Sequence, residues 1–329
     1  MSWEIVAWFL AGLAFLIVGA DLVVRQTTQL AVSLGVRPLV LGLTVVAIGT
    51  SFPELAVGIT ASIQGSGSLA VGNIAGTNVF NILFILGLSA LVKPLPLQSR
   101  ILKFELPMIV VTAVLMTVMA WDGTLTRVDG GILFGAAILY TAVLIRISRS
   151  ESRAVKEEFK EMYGGAPGKM GRRAMIRNRG LNFVLLVFGM GFLVLGADFL
   201  VTGAIDMARA LGVTEAMIGL TIVAIGTSAP EIATTLVATF KDDRDVAVGN
   251  LLGSSIYNIL VILALTCLIA PKGLPVNIEL VYFDVPLMAG VAVACIPVFA
   301  TGRRISRIEG GLFVTIYLTY LLFVIFFHK

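Results

Sequence analysis

An all-α polytopic membrane protein of ten transmembrane helices, arranged as two inverted five-helix repeats, is the fold class this sequence predicts. Three observations predict it. Hydrophobic residues make up 58% of the chain and charged ones 13%, with a mean hydropathy of +0.98, well outside the composition of soluble domains. Apolar stretches long enough to cross a bilayer, about 17 to 25 residues, recur ten times. The second half of the chain also repeats the first at an offset of 177 residues.

The stretches run over 3–24, 38–63, 68–92, 102–121, 127–147, 180–202, 212–240, 245–270, 279–300 and 305–328. Met1, Ser2, Trp3 and Glu4 precede the first without the basic flank or small-residue cleavage pattern of a secretory signal, so it is read as a permanent helix. With the N-terminus outside, the cytoplasmic loops carry 20 of the 24 Lys and Arg, ten of them between Arg146 and Arg179. The other side holds Arg127, Arg209, Lys272 and Lys329. That asymmetry is the positive-inside pattern. It places both termini outside the cell membrane and the loop 148–179 in the cytoplasm, and it accounts for the net charge of +4 without a nucleic-acid partner. Cys267 and Cys295 lie in different apolar segments and read as packing residues.

The repeat is clearest where the chain is least apolar. Residues 42–55 read GLTVVAIGTSFPEL and 219–232 read GLTIVAIGTSAPEI, identical at eleven of fourteen positions. Residues 70–83, AVGNIAGTNVFNIL, align with 247–260, AVGNLLGSSIYNIL, and Gly19-Ala20-Asp21 with Gly196-Ala197-Asp198. Five crossings per half is an odd number, so the second half enters the membrane from the opposite side. Inverted repeats with a site at their interface are an architecture of secondary transporters. The domains expected are 1–147, the first repeat with its motif at 42–87, the basic loop 148–179, and 180–329, the second repeat with its motif at 219–264.

An acidic side chain in hydrocarbon costs about 2.5–3.5 kcal/mol on insertion scales, so each needs a reason. Most carboxylates here fall in loops or at segment ends, and Asp21, Asp198, Glu105 and Asp284, near predicted ends, read as solvated at the interface or acting at a helix terminus rather than as ligands. Only Glu54 and Glu231 lie well inside long segments, at equivalent places in the two repeats. Ala47, Thr50, Ser51 and Glu54 share one helix face, as do Ala224, Thr227, Ser228 and Glu231. Gly49 with Pro53, and Gly226 with Pro230, interrupt the hydrogen-bond ladder there and free carbonyls near Ala47, Thr50, Ala224 and Thr227. In the following segments, Asn73, Thr77 and Asn81, and Asn250, Ser254 and Asn258, line up at spacings of four. Two carboxylates with neutral oxygens, and no nearby His or Cys, describe a site for a hard cation such as calcium. Gly72 with Gly76, and Gly249 with Gly253, read as close helix contacts.

These paired motifs, Gly49-Thr50-Ser51-x-Pro53-Glu54 with Gly72-Asn73 and Asn81, and Gly226-Thr227-Ser228-x-Pro230-Glu231 with Gly249-Asn250 and Asn258, resemble the alpha repeats of the calcium:cation antiporter superfamily, in its sodium/calcium exchanger branch of prokaryotic type. The resemblance extends over essentially the whole chain. It implies a secondary active antiporter working by alternating access, with no cofactor, in which calcium and sodium compete for one cluster of sites. Glu54 and Glu231 would be ligands shared by both ions, Thr50 and Thr227 would supply carbonyls, and Ser51, Ser228, Thr77 and Ser254, with carbonyls of Ala47 and Ala224, would form flanking sodium sites. Asn81 and Asn258 would complete the centre. Function as a monomer in the lipid bilayer is the expectation. Asn258 stands where some relatives carry Asp, which leaves stoichiometry and potassium dependence open, and Thr77 replaces a common Ser.

Calcium/proton exchange at the same site is the alternative, since a desolvated carboxylate can carry a proton. A cation channel and an intramembrane hydrolase using Glu54 and Glu231 as a dyad are more distant. No nucleophile with an oxyanion hole accompanies the dyad.

Overall fold

Helix-breaking residues cut the apolar chain into its elements. The computed structural model describes residues 3–150, 172–212, 224–300 and 302–327. In chain order the helices are α1 (Trp3–Leu34), α2 (Pro38–Thr50), α3 (Phe52–Ile63), α4 (Gly67–Val92), α5 (Ile101–Asp122), α6 (Arg127–Ser150), α7 (Arg172–Ala210), α8 (Ala224–Thr227), α9 (Ala229–Phe240), α10 (Arg244–Ile269), α11 (Leu280–Ala300) and α12 (Arg307–Phe327). Eight of these are long and apolar enough to span a membrane, and the bent pair α2 and α3 makes a ninth. The predicted seventh segment, 212–240, is described only from 224, so its beginning and the motif residues 219–223 lie outside the described residues, as does most of the predicted loop 148–179.

Two helices outrun the hydropathy reading. Helix α1 continues ten residues past 24, and α7 starts at Arg172, inside the predicted loop, and runs to Ala210. Asp21, Arg25 and Gln26 end the apolar run, but nothing in them stops a helix. The stop comes at Gly35, whose φ of 69° is left-handed, followed by Pro38.

Helices α4 and α10 form the centre. Buried residues make up 78% of the apolar window of each, against 17–39% in the other single helices, which keep one face outward. That outer face carries Ile17, Val118, Leu139, Phe188 and Leu322, an apolar belt suited to lipid rather than water. Buried apolar side chains gather into one large cluster around α4 to α6 and α10 to α12. A smaller one joins α1 and α7 to Leu41, Val46 and Ala229. Cys267 and Cys295 are buried in the large cluster, as packing residues should be.

Helices α1 and α7 run antiparallel along each other through small residues. A Cβ added at Gly12 would lie 2.8 Å from the Gly196 carbonyl oxygen, and one at Gly19 2.8 Å from that of Gly189. Gly189 and Gly196 are the repeat counterparts of Gly12 and Gly19, so exchanging the repeats turns one contact into the other. The short strands obey the same exchange. β1 (Leu95–Pro96) pairs antiparallel with β4 (Arg304–Ile305), and β2 (Thr124–Leu125) with β3 (Leu274–Pro275). Each Leu-Pro strand thus follows the long central helix of one half and pairs with the strand that opens the last helix of the other. Where Gly65 takes a left-handed turn (φ 73°) before α4, its counterpart before α10 is Asp242 at φ 67°. Lys93 Nζ at 2.7 Å and Arg244 Nε at 2.6 Å hold Asp242 there, and the Lys93 ammonium keeps its carboxyl below the usual range.

Of the two readings of Glu105, solvation at the interface fails, while its place at the start of α5 holds. It is fully buried, accepts a 2.6 Å hydrogen bond from the Tyr140 hydroxyl and lies 3.6 Å from Arg100 Nε. Its counterpart Asp284, half-buried, accepts from Tyr320 at 2.9 Å. A carboxylate with a hydroxyl and a guanidinium beside it is tolerated inside, and hydropathy does not register those partners. Gly249 and Gly253 fulfil the close-packing reading, each with an added Cβ under 3.0 Å from the backbone of α2. Gly72 faces only the Leu280 side chain at 3.3 Å, and Gly76 meets no described atom within 4 Å.

Gly12→Ala is expected to cost about 1–3 kcal/mol by forcing α1 and α7 apart, whereas Gly191→Ala, where an added Cβ meets nothing within 4 Å, is neutral or slightly stabilising. Thermal unfolding in detergent separates the two. Tyr140→Phe should lower the same midpoint by removing a buried hydrogen bond worth about 1–3 kcal/mol to its charged partner, while leaving the cation affinity of the folded protein unchanged.

Candidate cation site

Proline positions both central carboxylates. Pro53 and Pro230 sit in the first turns of α3 and α9, where a missing N–H is harmless, and each forbids continuation of the preceding helix. The joints are Ser51 (φ −84°, ψ 13°) and Ser228 (φ −88°, ψ 8°), and α2 meets α3 at 43°. Glu54 and Glu231 therefore occupy the first turns of new helices inside the protein, where unpaired backbone N–H groups favour negative charge.

The two halves interlock at this point. Ser51 Oγ donates to Glu231 Oε1 at 3.2 Å and Ser228 Oγ donates to Glu54 Oε1 at 3.4 Å. These bonds are repeat counterparts, each hydroxyl reaching the other half's carboxylate. Both carboxylates are fully buried and close enough to interact electrostatically. The Thr50 and Ser254 hydroxyls also reach the Glu231 carboxyl. Thr50 Oγ1 lies 3.1 Å from Asn250 Oδ1 and 3.4 Å from Ser254 Oγ, and Ser254 Oγ donates to the Ala47 carbonyl at 3.3 Å.

Helices α4 and α10 bring the asparagines. Asn81 and Asn258 are fully buried, each within a stretch of i→i+5 turns, Phe80–Ile85 and Asn258–Leu263, a distortion frequent at functional sites. Thr77 is buried on α4, Asn73 is half-buried there, and Thr227 is half-buried at the end of α8. Ala224 opens α8, and its side chain lies outside the described residues. The Ala47 carbonyl, read as free, already accepts from Ser254, from Thr50 Oγ1 and from the Ser51 N–H, all at 3.3 Å. The helix bend exposes it, and nearby hydroxyls occupy it.

What remains unpaired defines the chemistry. Glu54 Oε2, Glu231 Oε2, Asn81 Oδ1 and Asn258 Oδ1 are buried without a hydrogen-bond partner among the described residues. Removing carboxylate oxygens from water is expensive unless something positive returns the lost solvation. Among the described residues no group of three or more His, Cys, Asp or Glu gathers anywhere, so the donors here are two carboxylates completed by amides and hydroxyls. Such an all-oxygen set suits hard cations. Two participants escaped the sequence reading. Thr235 accepts from Asn250 Nδ2 at 3.3 Å, and Asn78 accepts from Asn258 Nδ2 at 3.2 Å. Their one visible signal is a polar side chain in an apolar helix, which requires a partner but does not name it.

Comparison with known proteins identifies the chain's relatives. The model of the family described as sodium/calcium exchanger protein matches residues 4–146 and 181–326. The chain is 34% identical to the putative antiporter CaxA of Alkalimonas amylolytica, over 94% of this chain and 95% of that one. It is 33% identical to the sodium/calcium exchanger MaX1 of Methanosarcina acetivorans, over 95% and 96%. A solved structure of the sodium-calcium exchanger NCX_Mj superposes with a TM-score of 0.81 at 28% identity, covering 97% of this chain and 98% of that one. A match over nearly the whole length, through both halves of the interlocked site, means that this multi-pass membrane protein belongs to the sodium/calcium exchanger protein family.

Proposed function

We propose that this chain is a secondary antiporter exchanging calcium for sodium across the cell membrane by alternating access. The observation that carries the reading is the pair of crossed Ser–Glu hydrogen bonds, which leaves one unpaired oxygen on each of two facing, fully buried carboxylates. Two negative charges are balanced by one calcium or by two or more sodium ions, so the ions compete for the same groups. Glu54 and Glu231 bind both. Asn81 and Asn258 add neutral oxygens at the centre, while Thr50, Thr227, Ser51, Ser228, Thr77 and Ser254, with the carbonyls of Ala47 and Ala224, form the flanking sodium positions.

Ten membrane helices in two inverted five-helix repeats, 1–147 and 180–329, frame this site. The exchange-related contacts of α1 with α7 and the reciprocal strand pairs support that symmetry. The separate apolar cluster of α1 and α7 supports their sliding as a unit past α4 and α10. An empty dianionic site is costly to move through hydrocarbon. Only the cation-loaded protein therefore changes its open side, and exchange follows. Both termini lie outside, the loop 148–179 is cytoplasmic, and one copy in the bilayer suffices.

Sodium-loaded proteoliposomes diluted into sodium-free medium should take up calcium-45, and Glu54→Gln or Glu231→Gln should reduce the rate at least tenfold, about 1.4 kcal/mol. Uptake following a pH gradient without sodium would assign proton coupling instead, and flux without any counter-ion would make the protein a channel. Because Cys267 and Cys295 are buried, single cysteines report topology cleanly. In intact cells a membrane-impermeant maleimide should label Lys272→Cys, and it should reach Ala166→Cys only after permeabilisation. The reverse pattern would invert the orientation.

A further inference from the structure

Asn78 lies on α4 between residues of the site, is 2% exposed, and is not preserved by the duplication, its counterpart being Ser255. The two counterparts touch. Asn78 Nδ2 donates to the Ser255 carbonyl at 3.0 Å, and Asn78 Oδ1 accepts from Asn258 Nδ2 at 3.2 Å. A third neighbour, Met288 Sδ, lies 3.6 Å from the same amide nitrogen.

The chemistry of these groups leaves one consistent orientation. A backbone carbonyl only accepts, so Asn78 must turn its NH₂ toward Ser255. Its own oxygen then faces Asn258, which must answer with NH₂. Asn258 Oδ1 is left as the oxygen without a protein partner, buried in the site. Among the described residues nothing equivalent acts on Asn81, whose amide nitrogen and oxygen both lack a hydrogen-bond partner there. Ser255 cannot serve it, because its hydroxyl is turned back onto the Leu251 carbonyl at 3.0 Å.

We propose that Asn78 is a positioning residue, relaying the fixed direction of a backbone carbonyl to Asn258 so that an oxygen rather than an NH₂ faces the cation. One asparagine of the repeat pair is thereby pre-oriented and the other, Asn81, is adaptable. This rests on the cation site proposed above. Without Asn78, the Asn258 amide is free to turn half a revolution and present donors to a cation, and part of the binding free energy is spent restoring the productive rotamer.

The test is calcium-45 binding to purified, sodium-free protein, for wild type, Asn78→Ser, Asn78→Ala, Asn258→Asp and the double variants. Serine is the residue the other repeat accommodates at this place, so Asn78→Ser is the substitution most compatible with folding. Either Asn78 variant should raise the calcium Kd about three- to tenfold. In the Asn258→Asp background the same substitution should not weaken binding, because a carboxylate has no NH₂ for Asn78 Oδ1 to hold and either of its oxygens can face the cation. An unchanged Kd on replacing Asn78 would overturn the proposal. So would an equal loss in both backgrounds, which is the signature of simple packing. Wild-type protein that binds no calcium overturns the site itself, whereas calcium binding without sodium-driven uptake bears only on the exchange reading.

Discussion

Two carboxylates with no exposed surface face each other between the halves of this protein, and their burial sets the terms for everything around them. Each needs a helix start beneath it, which Pro53 and Pro230 create by breaking the helix. Each needs at least one hydrogen bond in the absence of an ion, which the opposite repeat's serine supplies. Neither half can assemble this site alone, so the ion-binding geometry and the docking of the two repeats are one construction.

Glu105 shows the alternative treatment of a buried carboxylate. Tyr140 donates to one of its oxygens and the Arg100 guanidinium lies 3.6 Å from the other, so its charge has a permanent cationic neighbour within the protein. Glu54 and Glu231 receive only neutral hydroxyls and keep an oxygen each in reserve. Burial alone therefore does not mark a functional acid. What sets Glu54 and Glu231 apart is that no cationic side chain pairs with them among the described residues, which is the charge the proposed cation would balance.

The near-symmetry of the halves is most informative where it fails. Glycine contacts between α1 and α7, the strand exchanges and the crossed Ser–Glu bonds all survive exchange of the repeats. Asn78 and Ser255 do not, although they meet each other directly. A symmetric site would present equal faces to both sides of the membrane. One amide held and one without a partner among the described residues makes the two halves of the proposed site differ in rigidity while the scaffold stays the same.

Composition and hydropathy were enough for the membrane class and for most segments, because the cost of polar groups in lipid is paid residue by residue and is visible along the chain. The duplication, the helix breaks at Ser51 and Ser228 and the interior placement of Glu54 and Glu231 were legible for the same local reason, since proline geometry and a carboxylate's solvation do not depend on distant residues. Helix ends were less so: α1 and α7 continue past their apolar runs, because losing hydrophobicity does not stop a helix. The crossed bonds, the occupied Ala47 carbonyl, the Arg100–Glu105–Tyr140 cluster and the orientation of Asn258 by Asn78 were decided only by the tertiary structure. Each is a hydrogen bond or ion pair between elements, and whether a buried polar group is spent on a neighbour or left for an ion depends on what packing brings opposite it.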